Sequence, residues 1–229
     1  AGTKLKRMDI DGGSVQTLAS DIAVPLGGTW NRDGTILFAY SPGGPILRIP
    51  AGGGEPADAT RIEAPRQRGH YFPQFLPDGR HFLFFVTGTP ETRGVYVGQL
   101  DGVDTKRLFN ADAAAVYAST GHLLFIREGK LLAQGFDPNR LETRGDPLPV
   151  AELAKGGTAV SASAAGPLAY RTSAADSGQR QLVWLDRSGR ETDKVVYGDT
   201  ENLGPALSHD GRRVAVLRLA DGNMDIWSY

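Results

Sequence analysis

Glycine-centred turns recur through this chain at an almost constant interval, and that interval limits the fold more than any other feature. Phe75-Leu76-Pro77-Asp78-Gly79-Arg80 precedes the apolar run His81-Phe82-Leu83-Phe84-Phe85-Val86. Ala206-Leu207-Ser208-His209-Asp210-Gly211 precedes Arg212-Arg213-Val214-Ala215-Val216-Leu217, and Trp30-Asn31-Arg32-Asp33-Gly34 precedes Thr35-Ile36-Leu37-Phe38-Ala39-Tyr40. Two degenerate copies, at Thr120-Gly121 and Ala165-Gly166, fill the interval between them. Gly34, Gly79, Gly121, Gly166 and Gly211 are therefore 45, 42, 45 and 45 residues apart.

An Asp-Gly pair is expected to supply a two-residue turn with positive φ, reversing the chain between antiparallel strands. The run after each glycine is apolar or β-branched, as a strand buried on both faces requires. A second landmark repeats in step. Third strands are expected over Lys4 to Ile10, Pro45 to Pro50, Val95 to Leu100, Lys130 to Phe136 and Gln181 to Leu185, each closed by a Gly-, Asp- or Pro-containing turn. Polar fourth strands follow at Val15 to Ala19, Lys106 to Phe109 and Lys194 to Tyr197. A period near 40–45 residues with four short strands per unit is the spacing of β-propeller blades.

The fold class expected is thus all-β, a β-propeller of four-stranded antiparallel blades. Residues 1–229 are read as one propeller domain or a fragment of one. Four blades are complete, at 27–63, 70–111, 113–152 and 157–198. Two terminal blades, 3–20 and 203–229, are partial. Either five blades close a ring with one surplus strand, or the chain is an arc of a larger ring. The arc is favoured because both ends stop inside a blade. With 30 glycines and 14 prolines, about a fifth of the chain breaks helices, against roughly 12% on average. Little helix is expected.

Charge is balanced, 25 basic against 26 acidic residues, which argues against nucleic acid or an anionic membrane as partner. The short basic clusters Lys4, Lys6, Arg7 and Arg61, Arg66, Arg68 read as solvated faces. With no cysteine there is no disulfide, thiol nucleophile or thiolate metal site. No apolar run approaches the roughly 18 residues of a membrane helix, so direct insertion is not expected. No leader pattern opens the chain.

Several patterns suggest chemistry and are better explained by turns. Ser208-His209-Asp210 places three triad residue types side by side, but a triad must converge in space on a nucleophile. Asp9-Ile10-Asp11-Gly12 and Asp221-Gly222-Asn223-Met224-Asp225 have some calcium-loop character, yet the second lacks the sixth-position glycine and the closing glutamate. Gly52-Gly53-Gly54 is followed by neither Lys-Ser/Thr nor a helix, as a phosphate cradle would require. No catalytic residue, metal site or cofactor is expected.

Binding is placed where first strands begin, because these strands line the central channel. The entry loops are Gly27 to Thr29, His70 to Phe72, Ala113 to Ala115, Gly157 to Ala159 and Leu203 to Gly204. His70 and Tyr71 are the candidate rim residues. Trp30, Trp184 and Trp227 fit packing between blades, with Trp30 also a candidate stacking aromatic at channel or rim.

The repeat resembles the TolB-type, WD-like propeller unit through Pro77-Asp78-Gly79-Arg80, His209-Asp210-Gly211-Arg212-Arg213 and Asp225-Ile226-Trp227. The resemblance spans almost the whole chain and departs at Thr120-Gly121 and Ala165-Gly166, where the aspartate is lost. Gly69 to Leu83, and Ile46-Leu47-Arg48-Ile49-Pro50 with the glycines after it, are similar to propellers attached to bacterial serine/threonine protein kinases. That resemblance implies a sensory or interaction region of a bacterial receptor in an extracytoplasmic (periplasmic or cell-surface) place. Its partner would be a protein or small ligand. The competing expectations are a TolB-like periplasmic partner-binding protein, a lyase or sugar-acting channel, and the propeller of a prolyl-oligopeptidase-type hydrolase.

Overall fold

A computed structural model describes residues 3–8, 14–152, 160–163, 168–170, 182–185, 190–195, 203–208, 210–220 and 223–228. All regular structure among them is β-strand, and no described helix is long and apolar enough to cross a membrane. The chain divides into two compact units, Ala1–Ala115 and Val116–Tyr229.

The first unit holds three sheets. A two-stranded sheet joins β1 (Thr3–Arg7) to β2 (Gln16–Ile22). A four-stranded sheet runs in chain order through β3 (Gly28–Trp30), β4 (Thr35–Ala39), β5 (Ile46–Pro50) and β6 (Ala57–Asp58). Its neighbour repeats that order with β7 (Gln67–Phe75), β8 (His81–Gly88), β9 (Gly94–Gln99) and β10 (Thr105–Phe109). The second unit holds β11 (Val116–Ala118), β12 (His122–Arg127), β13 (Lys130–Asp137) and β14 (Glu142–Glu152) as one meander. A second comprises β15 (Val160–Ala162), β16 (Leu168–Tyr170), β17 (Leu182–Leu185) and β18 (Glu191–Val195), and a three-stranded one β19 (Leu203–Leu207), β20 (Val214–Ala220) and β21 (Asn223–Ser228). Every pairing is antiparallel.

Second strands carry much of the buried core. Leu37, Phe82 and Leu123 are fully enclosed. In the first unit, Leu37, Ala39 and Ile46 of one sheet pack against Phe82, Phe84, Val86 and Tyr96 of the next. Leu18, Ala19 and Ile22 of β2 cover the opposite face through Ile36, Phe38, Ile49 and Ala51. At about 25 cal/mol per Å2 of apolar surface, stacking sheets face to face is what holds such short strands together.

Three expectations need correction. The turns are longer than two residues, since the Leu76 amide bonds to the His81 carbonyl and the Ser208 amide to the Arg213 carbonyl, and the expected positive φ falls on the glycine. Gly34, Gly79, Gly121 and Gly211 have φ of 80, 67, 77 and 68°, while no described aspartate of these turns does. Each of these glycine amides bonds back three residues, Gly34 to Asn31 and Gly79 to Leu76 for example. The aspartate acts through its carboxylate instead. Asp78 Oδ1 accepts from the amides of Arg80 and His81, both at 3.0 Å, and Asp210 Oδ1 from Arg212 at 3.1 Å. That separates the two roles and explains why Gly121 still turns without an aspartate before it. Next, β7 begins at Gln67 rather than residue 70, since Gln67 already pairs with Gly88 across the long β8. Finally, β18 begins at Glu191, three residues before the expected fourth strand, because Glu191 pairs with Leu185. Gly166, the third-strand turn at residues 186–189 and the entry loop at 157–159 lie outside the described residues.

Candidate rim site on the first strands

Within each unit, first strands of successive sheets lie side by side, and the repeat supplies the means. Thr29 of β3 accepts a hydrogen bond at Oγ1 from the Phe75 amide of β7, 3.3 Å away. Ser161 of β15 accepts at Oγ from the Leu207 amide of β19, 3.2 Å away. Both pairs are 46 residues apart and occupy the same places relative to their turn glycines, five residues before one and four before the next. Asn31 adds a second tie: its Nδ2 donates to the Gly79 carbonyl at 2.7 Å and its Oδ1 accepts from Thr35 at 2.8 Å.

The entry loops at Gly27 and Phe72 meet. The Phe72 amide donates to the Leu26 carbonyl at 2.8 Å. A Cβ on Gly27 would come within 2.7 Å of the Phe72 Cα and 2.9 Å of its Cδ1, so only glycine admits this approach. Gly27 also has φ 92°. Counted from the turn glycines, Gly27 and Phe72 are the same repeat position, seven residues upstream. The other units place Ala114, Ala159 and Gly204 there. Phe72 adopts the left-handed backbone as well, φ 53°, within a break in the β7–β8 register between Tyr71 and Gln74. An L-residue with a bulky side chain loses roughly 1–2 kcal/mol in that region. Its ring is 48% exposed. Tyr71 beside it is half-buried, its ring edge-on to Phe72 at 6.4 Å and its hydroxyl donating to the Pro42 carbonyl. Val24 and Pro25, which lead into Leu26, are exposed.

His70 is not at an open rim, contrary to the expectation from its position. It is fully enclosed, its ring 4.9 Å from that of Phe84. Thr60 Oγ1 lies 2.8 Å from Nδ1 and Gln67 Oε1 2.9 Å from Nε2. Because Gln67 Oε1 also accepts from the Glu63 amide at 3.1 Å, it faces His70 as an acceptor, and Nε2 carries the proton. Thr60 Oγ1 accepts from the Ile46 amide at 2.9 Å and turns its own proton to Nδ1. Every polar atom of the ring is satisfied in the neutral form. Burial pushes its pKa down to about 4. His70 was expected at the rim as the start of a first strand, but β7 begins three residues earlier, and His70 pairs with Val86 inside it.

Trp30 is 52% exposed, with the Arg7 guanidinium 5.5 Å from its ring centroid. Trp184 is half-buried, and the side chain of Trp227 lies outside the described residues. Among the other entry loops, Ala113 and Ala115 are buried. Leu203 pairs with Leu217.

The remaining polar motifs resolve into turns. Ser208 Oγ donates to Asp210 Oδ1 at 2.5 Å and accepts from the Arg213 amide at 3.0 Å, while His209 lies outside the described residues. That serine bond is the main cause holding the Asp210 carboxyl below its usual range. His81 Nδ1 pairs with Asp78 at 2.5 Å, and His122 Nδ1 lies 3.1 Å from the Thr120 carbonyl. Gly53 donates to Pro50 at 2.9 Å, a hairpin turn. Residues 9–13, with the first calcium-like motif, and Asp221-Gly222 of the second are outside the described residues. Among the described residues, no three His, Asp or Glu gather to hold a metal ion.

No family model matches the sequence, and no curated protein matches it. Solved structures do. Regucalcin, a calcium-binding protein from Agrobacterium tumefaciens, aligns over 97% of this chain and 76% of its own, at 15% identity and TM-score 0.66. TolB from Acinetobacter baumannii aligns over 97% of this chain and 58% of its own, at 17% identity and TM-score 0.65. A puromycin-hydrolyzing peptidase from Mycobacterium tuberculosis aligns over 90% of this chain and 36% of its own, at 18% identity and TM-score 0.60. At such identities the likeness concerns fold. The four-stranded antiparallel meanders are propeller blades, and this is a β-propeller protein with TolB-like structural relatives.

Proposed function

We propose that this chain is a non-catalytic binding region of a larger bacterial receptor, kinase-attached and extracytoplasmic, which engages a protein partner at the first-strand rim. The observation that supports it is the exposure of two large aromatics, Trp30 at 52% and Phe72 at 48%, on the first strands of adjacent sheets. Both keep about half of their surface in water, and exposed aromatics beside polar rims mark interaction sites. The kinase attachment and the compartment rest on the sequence resemblance of residues 46–54 and 69–83.

Panning a displayed random-peptide library against the purified chain tests this reading. Recovered peptides that compete with one another, and lose binding to a Trp30→Ser, Phe72→Asn double variant, are the expected result. Peptides indifferent to that variant, or turnover of a lactone and aryl-ester panel by the chain, would favour the competing enzyme-associated reading.

A further inference from the structure

We propose that the His70 imidazole is a clasp that fastens both ends of the connector leading into β7, and that protonation of the ring releases this connector while the sheets stay folded. The inference goes beyond the binding reading and does not depend on it. The connector, residues 61–66, is exposed apart from half-buried Ile62, yet Thr60 and Gln67, which flank it, are sealed in. One side chain holds both. His70 Nδ1 accepts from the Thr60 hydroxyl at 2.8 Å, and Nε2 donates to Gln67 Oε1 at 2.9 Å. The flanking side chains pass this grip on to the backbone. Thr60 Oγ1 accepts from the Ile46 amide and Gln67 Oε1 from the Glu63 amide, while the Glu63 carbonyl accepts from the Gln67 amide at 3.0 Å.

A proton on Nδ1 breaks this arrangement. The Thr60 hydroxyl must turn to accept from the ring as well as from Ile46, and its own proton loses its acceptor. The new charge would sit in a fully enclosed place, 4.9 Å from the Phe84 ring. Ile46 of β5, Phe84 and Val86 of β8, and Gly44 of the preceding loop adjoin His70, and none of them titrates. The ionisable groups around them are the Tyr96 hydroxyl of β9, which reaches Gln67, then Arg107 of β10, and Asp58, Arg61, Glu63, Arg66 and Arg68 along the chain. Asp58 and Glu63 are the anions of this set, and both are exposed. The lowered basicity of the ring comes from burial. A buried cation without a counter-ion must reach water. On the side of β8 and β9 an unbroken ladder runs from His81 to Val86, so the irregular, exposed connector is the side that yields.

Amide hydrogen exchange of the whole chain, followed by NMR at about pH 7 and about pH 4.5 in a low-urea series, tests this. With a ring pKa of about 4 when closed and 6.5 when open, protection of the Ile46, Glu63 and Gln67 amides should fall about fifty-fold between the two pH values. Their exchange should vary little with urea. The β8–β9 ladder should stay at least about tenfold better protected and show the full urea slope of global unfolding. The His70 Cε1–H resonance should titrate below about pH 5 in the parent chain. Thr60→Ser keeps the hydroxyl and should retain the fall in protection. His70→Gln cannot titrate there and should cut that fall to less than about threefold. A global urea slope at the connector amides, a ring that titrates near 6.5, or an undiminished fall in His70→Gln would each overturn the proposal. If His70→Gln does not fold, the ring titration and the urea slopes of the parent decide the matter.

Discussion

Strands β3 and β7 occupy the same place in adjacent sheets and are built on the same repeat, yet they do different work. β3 is three residues long, enters through Gly27, and uses Thr29 and Asn31 to tie itself to the next sheet. β7 is nine residues long, carries a break in register, buries His70 and turns Phe72 outward. At nine, eight and seven residues before the turn glycine, Pro25, Leu26 and Gly27 lead into β3 where β7 itself has His70, Tyr71 and Phe72. A repeat can thus keep its turn and its second strand while one copy is given over to a polar core and an exposed ring. The tolerance comes from where stability resides, in the second and third strands, which leaves first strands free to vary.

That contrast can be broken hardest in the core behind the two strands. Leu37 and Phe82 stand three residues after their turn glycines, and both are fully enclosed. Phe82→Ala should lose about 3–5 kcal/mol and Leu37→Ala about 2–4, measured by urea unfolding. A smaller loss at Phe82 would mean that the β7 sheet is the weaker partner.

Acid should separate the strands next. His70 is neutral in the fold, with a pKa near 4 against 6.5 in the unfolded chain. The unfolded state therefore binds more protons between those values. Stability is complete above pH 6.5 and declines as pH falls towards 4, by about 3 kcal/mol in all. The carboxyl of Asp78 is held low: burial works to raise it, but the His81 ring and the His81 and Arg80 amides outweigh burial. Its contribution is lost only below the ordinary carboxylate range, at lower pH than the His70 window. Unfolding free energies measured from pH 7 to 4 should flatten in His70→Gln. An unchanged slope in that variant would remove His70 as the cause.

Gly27→Ala sharpens the comparison from the β3 side. The new Cβ meets the Phe72 backbone, and φ 92° disfavours it independently, so a loss of about 2 kcal/mol is expected. Pairing it with Phe72→Gly should recover part of that loss, because one clash is shared. Strict additivity would show that the two positions do not meet. The smallest effect is expected at Asn31→Ala, about 1 kcal/mol for its two hydrogen bonds, with no change in the pH profile.

Part of the candidate rim was legible in the residues. The entry loops at 27–29 and 70–72 were expected to supply a rim, and within the first unit they meet. His70 was placed at the rim because the first strand was taken to begin there; β7 begins at Gln67, so His70 lies within the strand, paired with Val86 and packed against Phe84. Phe72 was passed over although its signal was present: aligning the units on their turn glycines isolates it against glycine and alanine. Thr60 and Gln67 gave no such signal. Their partner is His70 across a loop, and one sequence shows no pairing between them.

What the sequence determined alone was the repeat: where chains reverse, which runs are buried, and that antiparallel meanders of short strands follow. Those features are local, since a glycine at positive φ and an apolar run act on their immediate neighbours. Tertiary structure decided which first-strand side chains face solvent, which histidine is sealed in, and which glycine makes room for a ring from the next unit. Such outcomes depend on atoms 46 residues apart in the chain, the Phe72 amide and the Leu26 carbonyl, approaching within 3 Å, and they appear only once the sheets have stacked.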